Sequence, residues 1–200
     1  MRAIFVNSAV ACLAVFCSRT PISHAAAPDF GPNVLIFDPS TTNIQNRIDE
    51  VFSKQERSQF GSNRVAYLFK PGKYDLDVQV GFYMQVLGLG QNPDAVAITG
   101  AVRSKARWLG NNNATCNFWR SIENLSVTPT QDQHVNIWAV SQATALRRVH
   151  VKGALNLWDG GWSSGGFIAD CKIDGVINSG LVCSFHMGEA TTADGSPRMR

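Results

Sequence analysis

Trp158, Asp159 and Trp162 stand within five residues of one another in a loop of glycines and serines that runs to Gly166. Aromatic faces stack on sugar rings, and a carboxylate between them can hold hydroxyls or exchange a proton. Glycines let the backbone approach a polymer closely. The plainer reading is that the tryptophans cover an edge of the core. Asp170 and Asp174 alternate on the outer face of the next strand, and Glu123 falls on a preceding one. Glycoside hydrolysis uses two carboxyls roughly 5–10 Å apart. Strands stacked at about 4.8 Å bring acids into that range. Asp159, Asp170 and Glu123 are therefore the catalytic candidates; solvated strand faces are the alternative.

Arg103, Lys105 and Arg107 beside Trp108 form a basic cluster with an aromatic, suited to an acidic polysaccharide or simply to a soluble loop. Trp158, Trp162, Trp108 and Arg107 are the substrate-binding candidates. Asp75 and Asp77 share a strand face and offer oxygen ligands to calcium, although no metal site is assigned and no cofactor is expected. Of Arg147 and Arg148, one is expected to be buried with a partner. His150 points outward and can titrate near neutrality, with no Ser or Cys nucleophile at a matching spacing. Gly88-Leu-Gly-Gln-Asn-Pro93 lacks the third glycine and the following helix of a dinucleotide site. Asn113-Ala-Thr and Asn124-Leu-Ser are glycosylation sequons; Asn113 is favoured because Asn124 adjoins a strand.

The elements that must position these residues are short alternating strands. Val149 and Val151 face one way, with Arg148, His150 and Lys152 facing the other; Cys171 and Ile173 repeat the pattern. Stepping back from Ile173 gives Val151, Val127, Val102 and Val80, at intervals of 22, 24, 25 and 22 residues. Such a period indicates stacked coils. Ile44, Ile48, Val51 and Phe52 mark one amphipathic helix over residues 42–55, capped by Thr41 or Thr42, which serves as a lid over the first coil. Strands are expected at 34–37, 64–69, 74–80, 83–87, 96–98, 101–103, 118–127, 137–140, 146–151 and 167–173.

Length and composition narrow the class. Two hundred residues with a formal charge of +3 and only 16% charged residues describe one domain that is β-rich and extracellular in character. The charge implies no nucleic-acid partner. Arg2, the apolar run from Ile4 to Phe16 and Ser23-His24-Ala25 have the layout of a signal peptide, residues 1–25, cleaved after Ala25 or Ala26. A buried N-terminal helix is the alternative. The run is too short to remain in a bilayer, so no membrane association is expected. Its removal takes two arginines and leaves a net charge of +1. Of five cysteines, Cys116, Cys171 and Cys183 remain, an odd number without metal-site spacing.

Several stretches carry a family resemblance. Tyr-Leu-Phe-Lys-Pro-Gly-Lys-Tyr at 67–74 resembles the first-coil motif of pectin-lyase-like β-helix proteins. Phe30-Gly-Pro-Asn-Val, the run from Val80 to Gly90, Asn117 to Leu125 and Asp159 to Asp170 resemble secreted microbial proteins of that fold. Some of these carry a coagulation-factor-5/8-type carbohydrate-binding module, and others an adenylyl cyclase label that finds no phosphate cradle here. The resemblance covers about residues 28–180. The paired aspartates, Gly-His-Gly and Arg-Ile-Lys of polygalacturonases are absent, as is the Asp-His signature of pectate lyases.

The fold expected is all-β: a right-handed parallel β-helix over 26–180 with an N-terminal capping helix, apparently truncated, then an irregular divergent tail over 181–200. An antiparallel sandwich or barrel is the alternative. The resemblance implies a secreted carbohydrate-active protein, a glycosidase or polysaccharide lyase acting on cell-wall polysaccharide. A non-catalytic carbohydrate-binding surface protein and an inactive fragment of a longer protein are the competing readings. An uncapped last coil offers itself for self-association.

Overall fold

Alternating apolar residues give strands too short to stand alone, and each is completed by its neighbour one coil away. In the computed structural model, residues 28–163, 166–180, 186–187 and 190–192 are described. In chain order they form β1 (Val34–Phe37), α1 (Ile44–Gln55), β2 (Val65–Phe69), β3 (Gly72–Gln79), β4 (Met84–Gly88), β5 (Val96–Arg103), β6 (Arg120–Pro129), β7 (Val135–Ile137), β8 (Thr144–Val151), β9 (Ala154–Asn156), β10 (Phe167–Ala169), β11 (Cys171–Ile173), β12 (Ile177–Asn178), β13 (His186–Met187) and β14 (Ala190–Thr192). One face runs β1-β2-β4-β6-β8-β10-β13; a second links β3, β5, β6, β8, β11 and β14; a third stacks β7, β9 and β12. The pairings are parallel. This is a parallel β-helix, not a sandwich or an antiparallel barrel.

The long strands β6 and β8 serve two faces because each bends at one left-handed residue, Asn124 (φ 57°) and Arg148 (φ 52°). Asp170 (φ 53°) makes the same bend between β10 and β11. The bend shifts the alternation, so Leu146, Val149 and Val151 are buried while Arg147 and Arg148 both face outward. Neither arginine is a buried ion-pair member, against the sequence expectation.

The inner column differs from the evenly spaced valines. Ile173, Val151 and Val127 are in register. Val127 then pairs with Ile98, and Ile98 with Tyr74, while Val102 pairs with Val78. The constant period departs from this register at two steps: Val127 meets Ile98 rather than Val102, because the loop 104–119, with short 3-10 turns at Arg107–Leu109 and Ala114–Cys116, lengthens that coil, and Val102 meets Val78 rather than Val80. Ile173 and the four valines are buried all the same. Gly100, which interrupts the apolar series, has φ +126°, and a Cβ there would lie 2.1 Å from the Leu76 carbonyl oxygen.

Helix α1 closes the first coil by hydrogen bonds as well as by burying Ile44 and Ile48. The Gln45 amide donates to the Asp77 carbonyl (3.0 Å) and accepts from the Asp77 N–H (2.9 Å), and Gln55 donates to the Phe82 carbonyl (2.7 Å). Edge groups left open by the first coil are satisfied in this way. Neither threonine caps the helix. Asn43 occupies that position in a left-handed conformation with no side-chain bond, and Thr41 instead accepts from the Asp38 N–H. Strands β13 and β14 extend both ladders into 181–200, a stretch expected to be irregular. The proposed signal peptide and Cys183 lie outside the described residues. No described helix is long and apolar enough to cross a membrane.

Candidate functional site

On the first face, the outward residues Val34, Ala66, Gln85, Ser121 and Ala145 stand side by side across five strands. Short side chains at four of these positions leave a groove of about 550 Å3. Its rim is a column of residues that precede the strands. Tyr83 and Trp119 stack at 5.9 Å between ring centroids and 30° between planes. The Arg64 guanidinium lies 3.5 Å from the Tyr83 ring centroid. Arg64 is itself held by the Gly61 and Asn63 carbonyls, and the Tyr83 hydroxyl donates to Gln59. Trp119 is 48% exposed. An aromatic wall beside a shallow polar floor is the arrangement that binds a sugar by its C–H face and its hydroxyls.

Arg120 supports this rim from inside. It is 4% exposed and donates to the carbonyls of Val80 (2.7 Å) and Phe118 (3.2 Å) and to Ser104 Oγ (3.0 Å). Its guanidinium lies 4.7 Å from the Phe82 ring centroid. Burial pushes it down to about 9, which leaves it charged at neutral pH. The turns that carry Tyr83 and Trp119 are thus pinned by one cation with no carboxylate ion-paired to it among the described residues.

Two residues farther along the same face, about 7 Å by strand rise, come Glu123 and Arg147, with Asp170 next to Arg147. Arg147 binds Glu123 (2.6 Å) and Asp170 (3.5 Å), so two of the three catalytic candidates are brought together by a cation between them. Both carboxyls are open to water, with side-chain exposures of 34% and 51%. This is a charge ladder at the edge of the groove, with one arginine shared by two carboxylates. It lacks the apolar enclosure of a proton donor.

The third candidate is elsewhere. Asp159 is buried, accepts from the Ala106 N–H and pairs with Arg107 at 3.4 Å. It fastens one loop to another. Trp158 is half-buried, its ring packed against the Gly180 backbone, while Trp162 is 57% exposed. Trp108 meets Phe82 edge-on and donates toward Asn117. The basic cluster is spent internally: Arg103 pairs with Asp77 and Asp132, Lys105 with Asp132 (2.6 Å), and Arg107 with Asp159. Hydrogen bonds from Lys105 and charges of Arg103 and Lys105 outweigh burial and hold Asp132 below the usual carboxylate range. Asp77 therefore faces an arginine and is not half of a calcium cage with Asp75. Among the described residues there is no cluster of three or more metal-ligating side chains.

Asn124 is unsuited to glycosylation. The nitrogen a glycan would take already donates to the carbonyls of Gly88 (2.8 Å) and Gly90 (2.7 Å). Asn113 accepts from the Thr115 N–H in a surface turn. His150 is buried rather than open, with Nδ1 2.9 Å from Asp94 and Nε2 3.0 Å from Asp174. It clamps three coils. Cys171 is buried, its thiol pushed up to about 11 mainly by that burial.

Sequence reasoning missed Tyr83 and Trp119. Their signal was a short internal repeat: Phe82-Tyr-Met-Gln-Val86 and Phe118-Trp-Arg-Ser-Ile122 both read Phe, aromatic, buried, polar, aliphatic. Phe82 is buried, whereas Phe118 is only partly covered; in each pair the second ring faces the groove.

No protein-family model matches the chain. Over 152 residues it is 57% identical to an exo-β-1,3-glucanase of Streptomyces sp. (strain SirexAA-E / ActE), a match covering 74% of this chain and 25% of that protein. It is also similar to the solved structure of sacteLam55A from Streptomyces sp. SirexAA-E, with TM-score 0.77 and 47% identity over 86% of this chain and 34% of the other. A glutamate-to-alanine variant of the same protein in complex with glucose gives TM-score 0.77 and 48% identity, with the same coverage. The chain spans about a quarter of the length of the curated relative it matches. These relatives belong to glycoside hydrolase family 55, a β-helix family other than the pectin-lyase-like one, which corrects the resemblance drawn from the sequence. The motif at 67–74 misleads for a physical reason. Tyr67, Phe69 and Tyr74 are buried aromatics around the β2–β3 turn, so the motif describes a first coil and carries no chemistry.

Proposed function

We propose that this chain is the carbohydrate-contacting β-helix of a secreted glycoside hydrolase that acts on cell-wall β-1,3-glucan, and that the groove beside Tyr83 and Trp119 holds the polysaccharide. The observation that carries the reading is the stacked pair over a floor of short side chains. The similarity to an exo-β-1,3-glucanase supports the choice of polymer and of hydrolysis over elimination. Arg147 and Arg107 engage the three candidate carboxyls, so among the described residues the groove is read as a glucan-binding surface rather than as the centre of hydrolysis.

The test is electrophoresis of the protein through gels containing laminarin, a soluble β-1,3-glucan, or polygalacturonate, with an assay for new reducing ends. Retardation by laminarin alone, without new ends, is the expected result. Equal mobility in both gels sinks the reading, and new reducing ends move catalysis into this chain. Export is proposed on the layout of residues 1–25 and on the extracellular place of such polymers. A secreted product whose first residue is Ala26 or Ala27 is expected from N-terminal sequencing.

A further inference from the structure

Tyr83, Trp119 and Ala143 occupy one position in three successive coils. Each immediately precedes a strand, since Met84, Arg120 and Thr144 are in register. Each has the same left-handed backbone, with φ of 59°, 55° and 55°. The first two carry rings, and the third carries a methyl group. Tyr83 is covered on both faces, by the Arg64 guanidinium and by Trp119. Trp119 has Tyr83 on one side only. On its other side the column continues with exposed Ala143, and Ala143 and Ala145 both line the groove. Phe118 meets Trp119 crosswise at 66° and does not extend the stack.

We infer that a pyranose ring of the glucan takes the third place in this column, seated on the Trp119 face directed toward Ala143 and over Ala145, with hydroxyls at its edge toward Ser121 in the adjacent coil. The inference rests on the reading of the groove as a glucan site and adds which ring face is used and why residue 143 is small. Coils repeat at about 4.8 Å, close to the spacing of a saccharide stacked on an aromatic ring. An indole attracts the C–H face of a sugar as it would another ring edge, while the hydroxyls at the sugar's rim stay in reach of polar groups. Arg64 has the opposite role. It occupies the far face of Tyr83, so a sugar cannot enter the column from that end.

The test fills the place with a side chain. Residue 143 has the backbone conformation that carries Tyr and Trp in the preceding coils, so Ala143→Trp adds a ring in a conformation that two neighbouring coils already hold. With laminaritriose as ligand, followed by titration calorimetry, Ala143→Trp and Ala143→Met are each expected to weaken binding at least tenfold. Circular dichroism and a cooperative melt should show that both variants are folded. If Ala143→Trp does not fold, the Met variant decides. Parent-like binding by a folded Ala143→Trp or Ala143→Met variant, alongside loss in Trp119→Ala, overturns the seat and leaves the groove reading intact. No binding by the parent protein overturns the groove reading and the seat with it.

Discussion

Two columns of left-handed residues turn corners of this β-helix, and they are built from opposite kinds of side chain. Asn124, Arg148 and Asp170 bend the chain between the first and second faces; Tyr83, Trp119 and Ala143 bend it into the first. Their φ values lie between 52° and 59°. A left-handed residue costs about 1–2 kcal/mol unless it is Gly or a short polar residue such as Asn or Asp. Asn124 and Asp170 follow that rule, and all three members of the first group tie their side chains to neighbouring coils. Asn124 is fastened to two carbonyls, Arg148 reaches the Gln91 carbonyl, and Asp170 reaches Arg147. The second group places a tyrosine and a tryptophan where bulky residues are outliers. Nothing about the bend requires a ring. An unfavourable residue kept at a bend, with its side chain half in water, marks a place where the side chain matters more than the backbone.

The sharpest break in the comparison comes from the residue beneath the aromatic column. Arg120→Leu leaves the Val80 and Phe118 carbonyls and Ser104 without their donor. Removing one member of a buried polar set costs about 3–5 kcal/mol, or roughly 10 °C of melting temperature at this chain length. Glucan binding falls with it, because both rim turns loosen. Arg120→Lys, which keeps the charge and one or two of the bonds, recovers part of the stability. A melt of Arg120→Leu within 2 °C of the parent would detach Arg120 from the rim.

The next pair of variants sets one column against the other. Trp119→Gly removes the ring and also the strain of a bulky left-handed residue, so stability stays within about 1 kcal/mol while laminarin binding drops at least tenfold. Asn124→Ala removes two internal hydrogen bonds and a residue suited to the bend. It is expected to cost about 1–3 kcal/mol and to leave binding unchanged. If both variants lose stability and neither loses binding, the columns do the same job and the groove has no functional rim.

The contrast also shows what was legible in the sequence. Alternation, the lid helix and the coil period announced a β-helix because they are local consequences of burying one face of each strand. The register between Ile98 and Val127 was not legible, since a loop with its own turns lies between them and a period search assumes equal coils. The site was displaced for a related reason. Trp158 and Trp162 drew the eye by standing beside an acid in one glycine-rich loop. Tyr83 and Trp119 lie thirty-six residues apart and meet only when the coils stack. Candidate carboxyls were correctly placed on outward faces in two cases, but sequence could not reveal that Arg147 and Arg107 would already occupy them.

A smaller effect is expected from acid. Burial acts to raise Asp94 and Asp174, but hydrogen bonds from Lys152 and His150 to Asp94, and from His150 to Asp174, more than offset it, so both lie below their ordinary value of 3.8. Lys172 adds to the effect on Asp174. A depressed carboxyl contributes stability that is fully present above its unfolded value and is lost as pH falls through its folded value. The His150 clamp therefore holds above the ordinary carboxylate value and weakens as pH falls through the lower folded values of Asp94 and Asp174. Asp94→Asn with Asp174→Asn should flatten the fall of melting temperature between pH 5 and pH 3 relative to the parent; parallel curves would show that the clamp does not report on acid.

The smallest change belongs to the charge ladder beside the groove. Glu123 and Arg147 form a part-exposed pair, and such pairs contribute about 0.2–1 kcal/mol. Glu123→Gln keeps the shape and a hydrogen-bond acceptor, and Arg147 retains Asp170. The melting temperature is expected to move by no more than about 2 °C, and laminarin retardation by less than twofold, with the remaining difference vanishing in 0.5 M salt as screening removes it. Were Glu123→Gln to lose tenfold in retardation with an unchanged melt, the ladder would be a ligand contact. The two columns would then no longer divide cleanly into one that binds and one that merely bends the chain.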